Sequence, residues 1–472
     1  MESRNLILML MLACCLKNVS AQEASEENAV KNFPAQISIF YLPLSQSKEP
    51  KIAIGTHGRK SVNYSYNLSL NLLAGKTGGV NGLEISGLLG HVEGSVHGIQ
   101  VAGIANSAGK EMVGLQIGGF ANVAGDGTYG LQIGGFANIA GEEMNGLQFG
   151  SFANVAGDAM NGLQIGGFAN IAGEDMNGLQ FGSFANVAGD AMNGLQIGGF
   201  ANVAGEKMNG IQTVVGANVA KDARGIQIAG GANIAGDVKG MQIAGIFNRG
   251  IEKKEPVNNV NGIQIAGISN TTYCMSGLQI GGIYNRNNTL RGVNIGVVSI
   301  TDSIEKGLSL SLVNIVKKGF YSEWELSFSD YANVALSYKM GMQRFYTVYT
   351  AGVAFIEDKL WVGGIGFGNR TQIGNRFDFQ PELVFCNYFP TNFKNIQNTF
   401  DTRLKLGFVY RINENLGLSF APSIYVMNAK KADSEYYRAT PLGALHTKER
   451  DNRQTTIGFG INLGLSYSII NN

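Results

Sequence analysis

Residues 114–125, Gly-Leu-Gln-Ile-Gly-Gly-Phe-Ala-Asn-Val-Ala-Gly, decide the fold, because the same phrase returns at near-constant spacing from Gly82 to about Ile315. Counted from the opening glycine, repeats begin at Gly82, Gly98, Gly114, Gly130, Gly146, Gly162, Gly178, Gly194 and Gly210, sixteen residues apart. The step then falls to fifteen, with openings at Gly225, Gly240, Gly262, Gly277, Gly292 and Gly307. The repeat opened by Gly240 carries a charged insertion, Glu252-Lys253-Lys254-Glu255-Pro256, which places the seam between repeats on a surface loop.

Within a repeat the residues alternate. From Gly130, Leu131, Ile133, Gly135, Ala137 and Ile139 fall on one side of an extended chain, and Gln132, Gly134, Phe136, Asn138 and Ala140 on the other. Helix is excluded by the recurring glycines, each costing roughly 1 kcal/mol relative to alanine inside a helix. Two positions are nearly invariant. The third holds Gln100, Gln116, Gln132, Gln148, Gln164, Gln180, Gln196, Gln212, Gln227, Gln242, Gln264 and Gln279. The ninth holds Asn106, Asn122, Asn138, Asn154, Asn170, Asn186, Asn202, Asn218, Asn233, Asn248, Asn270 and Asn285.

The repeats can fold in two ways. As coils of a β-solenoid, they would stack equivalent residues, so that the glutamines and asparagines bond amide to amide along the stack. The apolar residue two places before each opening glycine, such as Met144, Met160, Met176 or Met192, favours this arrangement, because an apolar seam needs a core. As antiparallel strands of one large barrel, neighbouring repeats would pair Gln132 with Asn122 and cover Gly134 with Phe120. The acidic seams at Asp126, Glu142, Asp158, Glu174, Asp190 and Glu206 favour the barrel, since a stack piles them about 5 Å apart. The solenoid is the preferred expectation, with the large barrel as its alternative.

The start of the chain has the pattern of an export signal over residues 1–21: Arg4, an apolar run from Leu6 to Leu16 too short to span a bilayer, and Val19-Ser20-Ala21 before Gln22. A lipoprotein start at Cys14 is the alternative. Of the four cysteines only Cys274 and Cys386 lie beyond this segment, so no disulfide framework is expected. A net charge of +1 without a basic cluster argues against nucleic acid as a partner. Residues 22–66 form an N-terminal segment, polar to about Phe33, with a strand from Gln36 to Leu44 and a charged loop from Lys48 to Ser61. Asn67 to Gly75 reads as a degenerate first repeat, and the repeat region as a whole spans 67–318.

Over 319–472 repetition stops and aromatics rise. Eight strands are expected, near Phe320–Ser329, Ala332–Lys339, Phe345–Phe355, Leu360–Asn369, Arg376–Phe385, Thr402–Arg411, Leu416–Val426 and Thr455–Ile469. Phe377, Phe379, Leu383 and Phe385 alternate with Asp378, Gln380 and Glu382, and Leu404, Leu406, Phe408 and Tyr410 with Arg403, Lys405 and Arg411. Charge on one face and aromatics on the other fit a narrow barrel in lipid, filled by paired polar side chains. Long connections on one side and tight turns on the other follow the outer-membrane convention.

The repeats, with Leu68-Ser69-Leu70-Asn71-Leu72-Leu73-Ala74-Gly75 and Gly78-Gly79-Val80-Asn81-Gly82-Leu83-Glu84 ahead of them, resemble the surface-repeat-containing proteins of Gram-negative bacteria. The resemblance covers most of the mature chain, and the tail, with Val313-Asn314-Ile315-Val316-Lys317-Lys318-Gly319 and Ala335-Leu336-Ser337-Tyr338-Lys339, is similar to longer members. It implies export and a place in the cell envelope, with no activity or catalytic residues to carry over. The ending Tyr467-Ser468-Ile469-Ile470-Asn471-Asn472 departs from the terminal aromatic of many outer-membrane barrels.

No catalytic, cofactor-binding or metal-binding residues are expected. His57, His91, His97 and His446 have no ligand spacing, the Gly-Gly-x-Gly-x-Asp rhythm of calcium-binding rolls is missing, and the glycine pairs precede no helix that could cradle phosphate. Inward carboxylates such as Glu323, Glu325 and Asp378 read as barrel filling. The expected protein is all-β and non-catalytic, a repeat scaffold offering an amide-lined face and held in the outer membrane by strands. Outer-membrane lipid is its expected partner, and a surface ligand or envelope protein stays open. The rival is a transport pore, which the large barrel would produce. An envelope enzyme, the third class, would need convergent titratable groups in a cleft.

Overall fold

Each repeat folds into one coil made of two short strands. Met160–Gly166 and Ala169–Ala172 form one such coil, and Met176–Gly182 and Ala185–Ala188 the next. Corresponding strands run parallel and in register, Met160 beside Met176, Gln164 beside Gln180 and Asn170 beside Asn186. The corners stack as well: Phe168 N donates to Phe152 O at 2.9 Å and Glu174 N to Asp158 O at 3.0 Å. Parallel in-register pairing is the solenoid, so the single large antiparallel barrel is not adopted. The acidic seams do pile up, but on an exposed corner where solvent screens them.

The computed structural model describes residues 31–42, 52–250, 259–355, 359–390, 399–430, 444–450 and 452–471. The signal expected over 1–21, the lipoprotein alternative and the insertion at 252–256 lie outside them. The described chain is a parallel β-solenoid of about 15 turns and a closed eight-strand antiparallel barrel, with one short helical segment, Gly58–Asn63. By packing it divides into two compact units, Met1–Lys221 and Asp222–Asn472.

The first unit opens with a cap. Lys31–Leu42 lies parallel to Tyr64–Asn71 and starts the stack, so the strand begins earlier than Gln36. Ile52–Gly55, read from sequence as loop, pairs antiparallel with Ser38–Leu42 and supplies partners to an edge that would otherwise stay open. The coils then repeat with the opening glycine as their fixed point. Gly178 has φ +137°, a conformation side chains rarely adopt, and a β-carbon there would overlap the Gly162 carbonyl oxygen of the coil below.

The second unit holds further coils, with Val238–Ala244 beside Val260–Ala266 and Val293–Gly296 beside Leu308–Ser311. After the last coil strand, Leu308–Lys318, Gly319 at φ +79° turns the chain into the barrel. The barrel strands are Phe320–Ser329, Val334–Met342, Phe345–Phe355, Lys359–Gly368, Phe377–Pro390, Phe400–Arg411, Leu416–Lys430 and Arg453–Asn471. Each pairs with the next, and the last closes on the first with Trp324 beside Tyr467. Following paired residues around the ring from Trp324 leads through Tyr338, Tyr349, Ile365, Phe385, Thr402 and Val426 to Ile457, ten residues along the last strand from Tyr467. That offset tilts the strands by about 40°, within the range for closed barrels.

Candidate functional site

Gln and Asn do not line a surface: from Gln100 to Gln279 and from Asn106 to Asn285 these side chains are buried at 0–1% exposure. The expectation of an exposed amide-lined face is therefore corrected. Met160 and Gln164 share the parity that points inward, while Leu163 and Ile165 point outward, and an extended strand allows no other division.

Inside, the amides form two ladders of opposite sense. Gln116 Nε2 donates back to Gln100 Oε1, and the same bond recurs from Gln132, Gln148, Gln164, Gln180 and Gln196 to the glutamine before each, at 2.7–2.8 Å. The asparagines donate forward: Asn122 Nδ2 to Asn138 Oδ1, and onward through Asn154, Asn170, Asn186 and Asn202, each at 2.9 Å. A second asparagine hydrogen reaches the main chain of the following coil, as from Asn122 Nδ2 to Ile133 O at 2.7 Å. In the second unit Gln242, Gln264 and Gln279 donate back, and Asn233, Asn248 and Asn270 forward, at 2.7–2.9 Å.

The opposed senses fix where the ladders run out. At the start Glu84 takes the glutamine place, and its carboxylate accepts from Gln100 Nε2 at 2.7 Å and from Asn71 Nδ2 at 3.1 Å. Burial pushes this carboxyl from the usual 4.5 up to about 7, against hydrogen bonds from Gln100, Asn71 and Ser69 that lower it. Asn106, first of its ladder, has no donor to its Oδ1 among the described residues, because Gly90 stands in the coil before. Gln279 Oε1 is left over in the same way where Asn294 replaces glutamine.

The barrel interior is polar too, but charged. Lys339 Nζ lies 2.9 Å from Glu323, 2.8 Å from Glu325 and 2.7 Å from Glu382. Arg370 grips Asp378 through Nε at 2.9 Å and Nη2 at 2.7 Å, and Arg411 reaches the other oxygen at 3.0 Å. Arg403 joins Asp330 and Asp401, each at 2.6 Å, and is stacked between the rings of Tyr331 and Tyr425. Tyrosines complete the network, Tyr321 on Glu323 at 2.7 Å and Tyr388 on Asp401 at 2.9 Å. The inward charges seen in the sequence thus meet one another, while the tyrosine contribution was missed because aromatics were assigned to the outside. Parity was the available signal, since Tyr321 alternates in step with Glu323 and Glu325.

Outside, the barrel is apolar: Leu326, Leu336, Leu404, Ile424 and Leu463 are exposed. Phe328, Phe355, Trp361 and Phe400 stand toward the long connections, and the ring pairs Phe345–Phe367 and Phe377–Tyr410 toward the short turns. Among the described residues no three His, Cys, Asp or Glu side chains gather as a metal would require, and Cys274 and Cys386 are buried, free thiols. Neither a protein-family model nor a curated protein sequence matches the chain. Among solved structures, one from the de novo design of transmembrane β-barrels is similar at 12% identity and a TM-score of 0.19, over 32% of this chain and 98% of that one.

Proposed function

We propose that the chain is a non-catalytic outer-membrane protein in which an eight-strand barrel holds a β-solenoid scaffold at the cell envelope. The observation that carries this reading is the barrel's inversion, with Lys339, Arg370 and Arg403 paired inside and Leu326, Leu404 and Leu463 outside. Water would solvate those charges better than a sealed interior, whereas hydrocarbon leaves them no alternative to one another. A closed ring leaves no sheet edge for lipid to face, as spanning strands require. The resemblance to surface-repeat proteins points to the same compartment.

Eight strands enclose room for side chains rather than a water column, which favours the scaffold over a transport pore. Purified protein in detergent is expected to run on an unboiled denaturing gel as a compact band that shifts on heating, and to be silent in planar bilayers. Absence of the shift would sink the barrel-in-membrane reading, and steady conductance would replace the scaffold with a pore. Protease shaving of intact cells, with mapping of the released peptides, assigns the side on which the coils lie.

A further inference from the structure

The coils carry a continuous apolar row along their exterior. At the Gly-Phe corner the rings of Phe120, Phe136, Phe152, Phe168, Phe184 and Phe200 stack face to face, with centroids 4.6–5.1 Å apart and planes within 7°. Stacking hides the faces and turns a continuous row of ring edges outward, with Phe200 61% exposed. Six rings of about 200 Å² each, somewhat under half exposed, present on the order of 500 Å², near the largest patch on a typical monomer. Outward rows beside them, such as Ile133, Leu147 and Ile165, add to it. In the second unit the same corner holds Ile246, Ile268 and Ile283, each 45–54% exposed.

Around the coil the phenylalanine corner is set apart from most of the polar groups, although an outer asparagine ladder, Asn161–Asn177–Asn193, stands on the Leu/Ile face. Amides occupy the interior, and the acidic row from Asp126 to Glu206 stands on the corner opposite the phenylalanines. The second unit also shows where such a corner leads. Thr347 Oγ1 donates to Ser311 O of the last coil at 2.9 Å, and Tyr349 OH donates to Leu312 O. Thr347 and Tyr349 alternate with the inward-facing Tyr346, Val348 and Thr350, so the last coil abuts the barrel's outer wall rather than its lumen. Leu312 stands at the same corner as Ile283 in this unit, between the paired residues Ser311 and Val313. Within this unit the corner that holds Ile246, Ile268 and Ile283 therefore ends against the barrel's outer wall.

We infer that lipid acyl chains cover this corner, so that the solenoid is a membrane-resting element and not a free-standing one. This rests on the outer-membrane reading of the barrel. Hydrocarbon is the occupant that suits a row of phenylalanine and isoleucine side chains, interrupted only by the hydroxyls of Ser151 and Ser183, on coils whose main chains are already paired with their neighbours. A second copy of the chain is the competing occupant.

The test uses the full chain in lipid nanodiscs, spin-labelled one site at a time at Phe152→Cys, Ile268→Cys, Asp158→Cys and Leu463→Cys, with the parent chain taken through the same labelling as background. Relaxation by oxygen, which concentrates in lipid, is compared with relaxation by a water-soluble nickel complex. Labels at 152, 268 and 463 are expected to favour oxygen several-fold, and the label at 158 to favour nickel. Labels at 152 and 268 that behave like 158, while 463 stays in lipid, overturn this inference and leave the barrel reading standing. All four in water overturn both. Labels at 152 and 268 shielded from both reagents in a particle holding two chains assign the corner to a second copy and overturn the lipid proposal.

Discussion

Coils and barrel both put polar groups inside and apolar groups outside, yet the coils do it with neutral amides and the barrel with charges. From Gln116 to Gln196 each coil repeats the bond of the coil before, Gln164 on Gln148 as Gln180 on Gln164. In the barrel no two charges share a setting: Lys339 serves three carboxylates, while Arg403 has two carboxylates and two rings. A translational ladder distributes a defect to its two neighbours, whereas a convergent cluster concentrates it. The barrel is accordingly expected to fail at single residues and the solenoid to soften locally.

The sharpest attack on that contrast is Lys339→Met, which leaves Glu323, Glu325 and Glu382 around an apolar chain. Breaking a buried ion cluster from one side costs about 5 kcal/mol. The compact band on unboiled gels should disappear, and survival of a full-intensity band would contradict the concentrated design. Next comes Gln164→Leu, which orphans the Gln180 donor and the Gln148 acceptor at about 1–3 kcal/mol each. Hydrogen exchange should quicken in the coils around 148–180 and stay unchanged in barrel strands.

Glu84 offers a milder probe through pH. Its folded-state carboxyl lies near 7 rather than 4.5, so the folded form holds the proton more tightly than the unfolded chain. The resulting stability is complete below pH 4.5 and lost as pH rises through about 7, a difference of about 3 kcal/mol. Protection against exchange at the first coils, taken relative to the intrinsic rate at each pH, should therefore fall between pH 5 and 8. Glu84→Gln, which restores the ladder residue, should flatten that profile and stabilise the coils at pH 8, and an unchanged slope would assign the effect elsewhere. The smallest change expected is Asn177→Ala in the outer ladder Asn161–Asn177–Asn193, half-exposed to water, at under about 1 kcal/mol.

Much of this was legible in the residues. The eight barrel strands fall within a few positions of where alternation places them, because aromatic-out, charge-in periodicity has one solution over ten residues. For the repeats, alternation fixes two faces without saying which is inside. The methionine seam carried that information: Met160 sits four before Gln164, on the same side of the chain, and a buried methionine takes the glutamine in with it. The acidic seams point the other way only where solvent does not screen them, and on the corner where they stack it does. Illegible from sequence were contacts between distant segments, such as Tyr349 on the last coil, and the use of Asn71 to fill the place that a ladder asparagine would take at Gly75.

The two antiparallel ladders have one more consequence. Residues 146–173 recur almost unchanged at 178–205, and each coil offers its successor the amide edge it received. Whole copies can therefore be gained or lost in multiples of the period without any side chain changing its partner type; the seam also absorbs the change from sixteen to fifteen residues with both ladders intact, whereas an indel of one residue inside a strand would turn its inward side chains out. Such a gene can vary the reach of its product in steps of about 4.8 Å by recombination between its own copies.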